Sequence, residues 1–182
     1  MRADAVRNRE RLLVAADLVF DELGVGASTE EVARRAEVGI GTLFRHFPTK
    51  ESLLEAVFLA RLCRLADTAD KLSRAEDAGP AFFAFLETVI DQACGKQAFS
   101  DSLANAGIDV VAAAAPVKTA LRQSGDTLLK RAQQAGAVRR DMGTEELMAL
   151  LVGLARTAEH TAHDPALRNR TVAILVDGLR PR

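Results

Sequence analysis

The chain has 182 residues, enough for one compact domain or for a small N-terminal domain joined to a larger one. Apolar residues make up 48% and charged residues 27%, which excludes bulk disorder. Net charge is −1, and residues 1–50 balance eight Lys/Arg against eight Asp/Glu, so composition lacks the basic excess of a nucleic-acid binder and only charge placement can supply one.

Ala, Leu and Arg dominate, the five prolines are scattered, and the predicted fold class is all-α. Over residues 6–23, Leu12, Leu13, Ala16, Val19, Phe20 and Leu23 recur on one helical face, and Gly24 stops the helix. Asp17 and Asp21 break this stretch, so it is no signal peptide. No run of about 18 apolar residues occurs anywhere, so no membrane span is predicted and the cytoplasm is the expected location.

Ser28 with Glu31 fits a capping box that opens a second helix, about Thr29–Ala36. A third short helix runs about Ile40–His46 and is closed by Pro48. Thr49 caps a fourth, long helix with Lys50 and Glu51 in its first turn, ending near Arg74. After the break at EDAGP come helices over about Pro80–Cys94 and Phe99–Val111. Pro116 should start a helix reaching Ala135, stopped at Ala135-Gly136-Ala137. Thr144 opens a helix to about His163, and Asp164-Pro165 opens the last, for nine in all.

Cys63 and Cys94 lie far apart in apolar stretches without metal spacing and read as reduced, buried thiols. His160, His163 and Asp164 have no third strong ligand nearby, so no metal and no cofactor is expected. An enzyme is not expected either. No histidine has Glu three residues before it, as a di-metal bundle needs, and no nucleophile–base pair or phosphate loop stands out.

The segment STEEVARRAEVGIGTLFRHFPTK, residues 28–50, has the parts of a helix-turn-helix. Val32, Ala33 and Ala36 give the first helix a small inner face, and Val38, Leu43 and Phe47 complete a mini-core. The second helix then turns Gly41, Thr42, Phe44, Arg45 and His46 outward. Thr42 suits a base edge or a thymine methyl, Arg45 a guanine or a phosphate, and His46 a phosphate. Thr29 and Lys50, each opening a helix, suit phosphates as well. Arg2, Arg7, Arg9 and Arg11 either follow the DNA backbone or enter a minor groove, or else form a solvated helix face.

TLFRHFPTKESLL, with STEEVARRAEVG before it, closely resembles the helix-turn-helix of TetR-family regulators over about residues 7–58. The family turn usually reads Ala-Gly-Val-Ser; here it is Ala36-Glu37-Val38-Gly39. Glu37 thus stands where glycine's freedom at positive φ helps, and strain of about 1 kcal/mol is expected there. Gly39 replaces a serine N-cap, and Phe44 replaces a frequent tyrosine whose hydroxyl would reach phosphate.

The resemblance implies a three-helix DNA-binding domain over 1–48 and a six-helix ligand-binding and dimerisation domain over 49–182. QAGAVRRDMGTEELMALLVGLA and DPALRNRTVAILVDGL further resemble the SbtR-like C-terminal domains of that family. The last two helices are apolar on more than one face and so need two partners. Leu147, Leu151, Leu154, Ala155, Ala158, Ile174 and Leu175 are the expected contacts of a two-fold homodimer. Seven of the eight phenylalanines fall between residues 44 and 99. Candidate linings of an effector pocket are Phe58, Leu62, Phe82, Phe85, Leu86, Val89, Phe99, Leu103 and Leu121, which suit an apolar or amphipathic small molecule. The expected partners are therefore double-stranded operator DNA, a small-molecule effector and a second copy of the chain. The expected activity is that of a repressor released from its operator by the effector.

Overall fold

The computed structural model describes residues 2–92, 96–108 and 110–181. Among them the chain is all helical: α1 (Arg2–Leu23), α2 (Thr29–Arg35), α3 (Ile40–His46), α4 (Lys50–Ser73), α5 (Ala78–Asp91), α6 (Lys96–Asn105), α7 (Val110–Gln134), α8 (Thr144–His160) and α9 (Pro165–Asp177). None of these helices is long and apolar enough to cross a membrane.

Local signals in the sequence fix most of the ends. Gly24 and Gly136 take φ of +78° and +70°, the left-handed turn that ends a helix and that glycine adopts without strain. Asp164 accepts a hydrogen bond from the Leu167 N–H at 3.0 Å, with Pro165 behind it in the first turn of α9. Thr49 and Ser52 cap α4 reciprocally: each backbone N–H donates to the other's hydroxyl, at 3.2 and 3.1 Å.

Two boundaries differ most from expectation. Gly107, at φ +74°, ends α6, and the Ile108 N–H closes back on the Leu103 carbonyl, so the helix stops well before Val111. Pro116 lies inside α7 instead of at its start. Proline has no N–H to offer its own turn, but the alanine run 112–115 before it is the strongest helix former available, and the helix continues through.

The chain divides into two compact units that interleave in sequence. The first is Met1–Arg61 with Gly95–Ala113; the second is Leu62–Cys94 with Ala114–Arg182. The N-terminal half of α4 and all of α6 therefore cluster with the helix-turn-helix, where a boundary at 48/49 assigns them to the other domain.

In the second unit α8 packs against α5 on one side and α9 on the other. Phe82, Phe85, Leu86 and Val89 of α5 form its core with Leu128, Leu129 and Ala132 of α7 and the apolar stripe of α8. That stripe is Leu147, Leu151, Leu154, Ala155 and Ala158. These five were expected between subunits, yet they serve the chain's own core. Leu147 keeps 0% of its surface exposed and leaves nothing for a second chain to cover. The apolar face of α5 needs this partner within the chain. The face α8 leaves open carries Ala149, Val152, Gly153 and Arg156. Ile174 of α9 is 71% exposed, and Leu175 is half-buried against the core.

Cys63 is exposed, not buried, because α4 turns Leu62, Leu65, Ala66 and Ala69 inward and Cys63 lies off that stripe. Cys94 lies outside the described residues.

Candidate DNA-binding site

Three helices build the site: α1 packs on α2 and α3, and α2 packs on α3. The expected mini-core forms. Val32, Ala33, Ala36, Leu43 and Phe47 are buried, and Val38 is half-buried. The alanines leave room for two short helices to cross closely.

At the start of α2 the Glu31 N–H donates to the Ser28 hydroxyl at 3.2 Å, one half of the expected capping box. The other half does not form. The Glu31 carboxylate instead accepts both arms of the Arg34 guanidinium one turn on, a charge-assisted fork stronger than a bond to a neutral N–H. That fork holds the Glu31 carboxyl below its ordinary range. Gly39 caps α3 without a side-chain bond, as its lack of a side chain requires.

The turn between α2 and α3 carries the expected strain. Glu37 has φ +53°, and no other described non-glycine residue has a positive φ. Its carboxylate accepts a 2.8 Å hydrogen bond from Arg11 of α1.

Charge placement now separates what the count left balanced. Asp4 pairs with Arg7, Glu37 with Arg11, Glu31 with Arg34, and Glu22 with Arg35, while Asp17 and Asp21 both hold Arg61 of α4. The pairing with Arg35 also lowers the Glu22 pKa. Arg9 stacks over the Phe47 ring at 5.3 Å. Arg7 therefore pairs within α1, while Arg9 and Arg11 tie α1 to the end of α3 and to the turn between α2 and α3. Arg45 and Lys50 have no such partner among the described residues, so two cations at the end of α3 and the start of α4 stay open.

Around them lie the other expected contacts. Gly41 and Arg45 are exposed, Thr42, His46 and Lys50 half-exposed, and Phe44 is 41% exposed. Space is open where a Gly41 side chain would stand, with no atom of any residue outside its own helical turn within 4 Å. Thr29 is the least open of the set, at 9% exposure. Hydropathy alone hides one residue of this face: Ile40, first in α3, is 39% exposed and can touch a thymine methyl. Its place directly after the Gly39 cap is the signal that reveals it.

The residues expected to line an effector pocket do not share one compact unit. Phe82, Phe85, Leu86 and Val89 are buried in the second, where Leu62 is buried too and Leu121 packs partly buried on the core. Phe58, Phe99 and Leu103 are buried residues of the first.

Residues 12–57 match the family described as bacterial regulatory proteins, tetR family, and residues 77–181 match the SbtR-like transcriptional regulator C-terminal domain. The crystal structure of a TetR transcription regulatory protein from Mycobacterium vanbaalenii is 38% identical, covers 98% of both chains and superposes with a TM-score of 0.78. The TetR transcriptional regulator SCO0520 from Streptomyces coelicolor is 32% identical over 95% of this chain and 98% of its own, with a TM-score of 0.75. The HTH-type transcriptional regulator SAB2452 of Staphylococcus aureus is 44% identical over 54 residues, only 29% of either chain. The chain belongs to the TetR family of helix-turn-helix, DNA-binding transcriptional regulators.

Proposed function

We propose that this regulator is a homodimeric repressor that binds double-stranded operator DNA through α3 and is released by an apolar or amphipathic small molecule. The observation that carries the reading is the open cation pair Arg45 and Lys50 beside the outward residues Gly41, Thr42, Phe44 and His46. Thr42 and Arg45 read base edges, His46 and Lys50 hold phosphates, and Thr29 closes the register at the start of α2. Two copies related by a two-fold axis place their α3 helices about 34–36 Å apart, one turn of DNA.

Release follows from a population shift. An effector that binds one conformation better draws the dimer toward it, and a tilt of α4, whose first residue is Lys50, changes the spacing of the two α3 helices. The apolar character of the effector is supported by the aromatic concentration in α5.

The test is a titration of the protein against DNA from upstream of its own gene, beside an Arg45→Ala, Lys50→Ala double variant. Tight binding that weakens steeply with salt and is lost in the double variant supports the reading. Failure on that DNA, and then on DNA selected from a random pool, sinks it.

A further inference from the structure

Arg61 is the most enclosed arginine of the DNA-binding unit among those in ion pairs, with 12% of its side chain exposed. Its Nε donates to the Asp17 carboxylate at 2.5 Å and one Nη to the Asp17 carbonyl at 3.3 Å. The same Nη also bonds the Asp21 carboxylate. The guanidinium carbon lies 4.6 Å from the centre of the Phe99 ring, and Phe99 meets Phe20 edge to face at 5.7 Å. Asp17, Phe20 and Asp21 stand at i, i+3 and i+4, one face of α1. One cation thus joins three helices: its own α4, the supporting helix α1, and α6, which comes from some forty residues further along the chain.

We propose that Arg61 is a positioning residue for DNA binding: its clamp on Asp17, Asp21 and Phe99 fixes α1, and through α1 the pose of α2 and α3. The proposal rests on the DNA-binding reading above. A planar guanidinium bonds carboxylates along its edge while its face lies on an aromatic ring, and a lysine ammonium cannot do both. α1 packs directly on α2 and α3, so looseness at Asp17 and Asp21 becomes looseness of the recognition helix. A protein that holds the binding pose only part of the time binds more weakly by that fraction. Because Phe99 is on α6, a displacement of α6 withdraws one wall of the clamp and is felt at α1 without any contact to DNA.

Arg61→Lys, Phe99→Leu and their combination test this, with Asp21→Asn as the gentle variant, since Asp21 is the more exposed of the two carboxylates. Two readouts are taken on the full chain: affinity for the upstream DNA, and hydrogen exchange of the α1 amides without DNA. Expected is a loss of affinity of about 3- to 30-fold in each of Arg61→Lys and Phe99→Leu with helicity intact. The combination should bind no worse than the weaker single variant, because both remove one network. Amides of α1 should exchange faster in both. Unchanged affinity in folded Arg61→Lys and Phe99→Leu, or losses that multiply in the combination, would overturn the proposal. Should the combination unfold, Asp21→Asn decides on the same two readouts. Should the native chain bind no DNA, the functional reading fails separately, and unchanged α1 exchange in the variants would still refute the clamp.

Discussion

The Glu37 backbone passes through the left-handed region at φ +53° while its carboxylate accepts a hydrogen bond from Arg11 at 2.8 Å. Strain and compensation thus sit on one residue, and their magnitudes decide the sign of a substitution. A left-handed non-glycine residue costs about 1–2 kcal/mol, whereas a pair this exposed contributes about 0–1 kcal/mol. Glu37→Gly should therefore raise the melting temperature and Glu37→Ala, which keeps the strain and loses the pair, should lower it. Thermal denaturation followed by circular dichroism separates the two. A lower melting temperature for both would mean the ion pair outweighs the backbone.

Gly41 sits in the first turn of α3 with open space where a side chain would stand. Glycine disfavours a helix by about 1 kcal/mol relative to alanine, and nothing within the chain requires its small size. Gly41→Ala should thus stabilise the free protein slightly while weakening its hold on DNA, because in the proposed complex a methyl group would intrude where the backbone approaches the duplex. The opposite signs are the test. Tighter DNA binding by the stabilised variant would show that the open space is not occupied by DNA.

Phe44 offers the companion experiment in the other direction. Its ring is 41% exposed on the same helix, so a para hydroxyl needs no room inside the fold. A hydrogen bond to phosphate added by Phe44→Tyr is worth about 0.5–1.5 kcal/mol, roughly a two- to tenfold rise in affinity. Fluorescence anisotropy with labelled DNA measures it. No rise at any salt concentration would place the ring away from the phosphates.

The DNA-binding helices were legible because punctuation brackets each of them: Ser28 opens α2, Gly39 opens α3 and Pro48 follows it. The strain at Glu37 was legible for the same reason, since its place in the turn demands a conformation its side chain disfavours. What periodicity cannot carry is the choice of partner. Both faces of α8 are apolar, and nothing in its own pattern says that Leu147 and Leu151 join the core of the same chain while Val152 stays open. Pairs far apart in sequence, such as Arg61 with Asp17, are equally invisible to a local pattern. So is the outcome at Pro116, where a breaker and a run of strong helix formers compete.

Acid stability should report on Asp126. Hydrogen bonds from Lys130 and Thr144 hold its carboxyl below the ordinary value near 3.8. A carboxyl with a lowered folded-state pKa contributes stability above its unfolded value and loses it as the pH falls through the folded one. The contribution is therefore intact at neutral pH and disappears below about 3.8, as Thr144 at the start of α8 loses its ionised partner on α7. Asp126→Asn should lower stability at pH 7 and flatten the acid limb of the denaturation profile. Parallel limbs for native and variant protein would show that other carboxylates govern it.

The open surface of α8 and α9 yields a prediction that separates a subunit interface from the chain's own core. Val152 is 56% exposed and Ile174 more so, and both are large apolar side chains on neighbouring helices, a placement that invites a second copy to cover them. Val152→Glu and Ile174→Glu should convert the proposed dimer to a folded monomer, with helicity and melting of the single chain kept. Leu147→Ala should act differently. Truncating this fully buried side chain costs about 2–5 kcal/mol of fold stability, with any loss of association following from unfolding. Sedimentation velocity read beside thermal melting distinguishes the two cases. If the glutamate variants remain dimeric, the subunits meet through some other face. If Leu147→Ala alone yields a stable monomer, then Leu147 reaches the partner after all, and the division of α8 into an inward and an outward face would have to be redrawn.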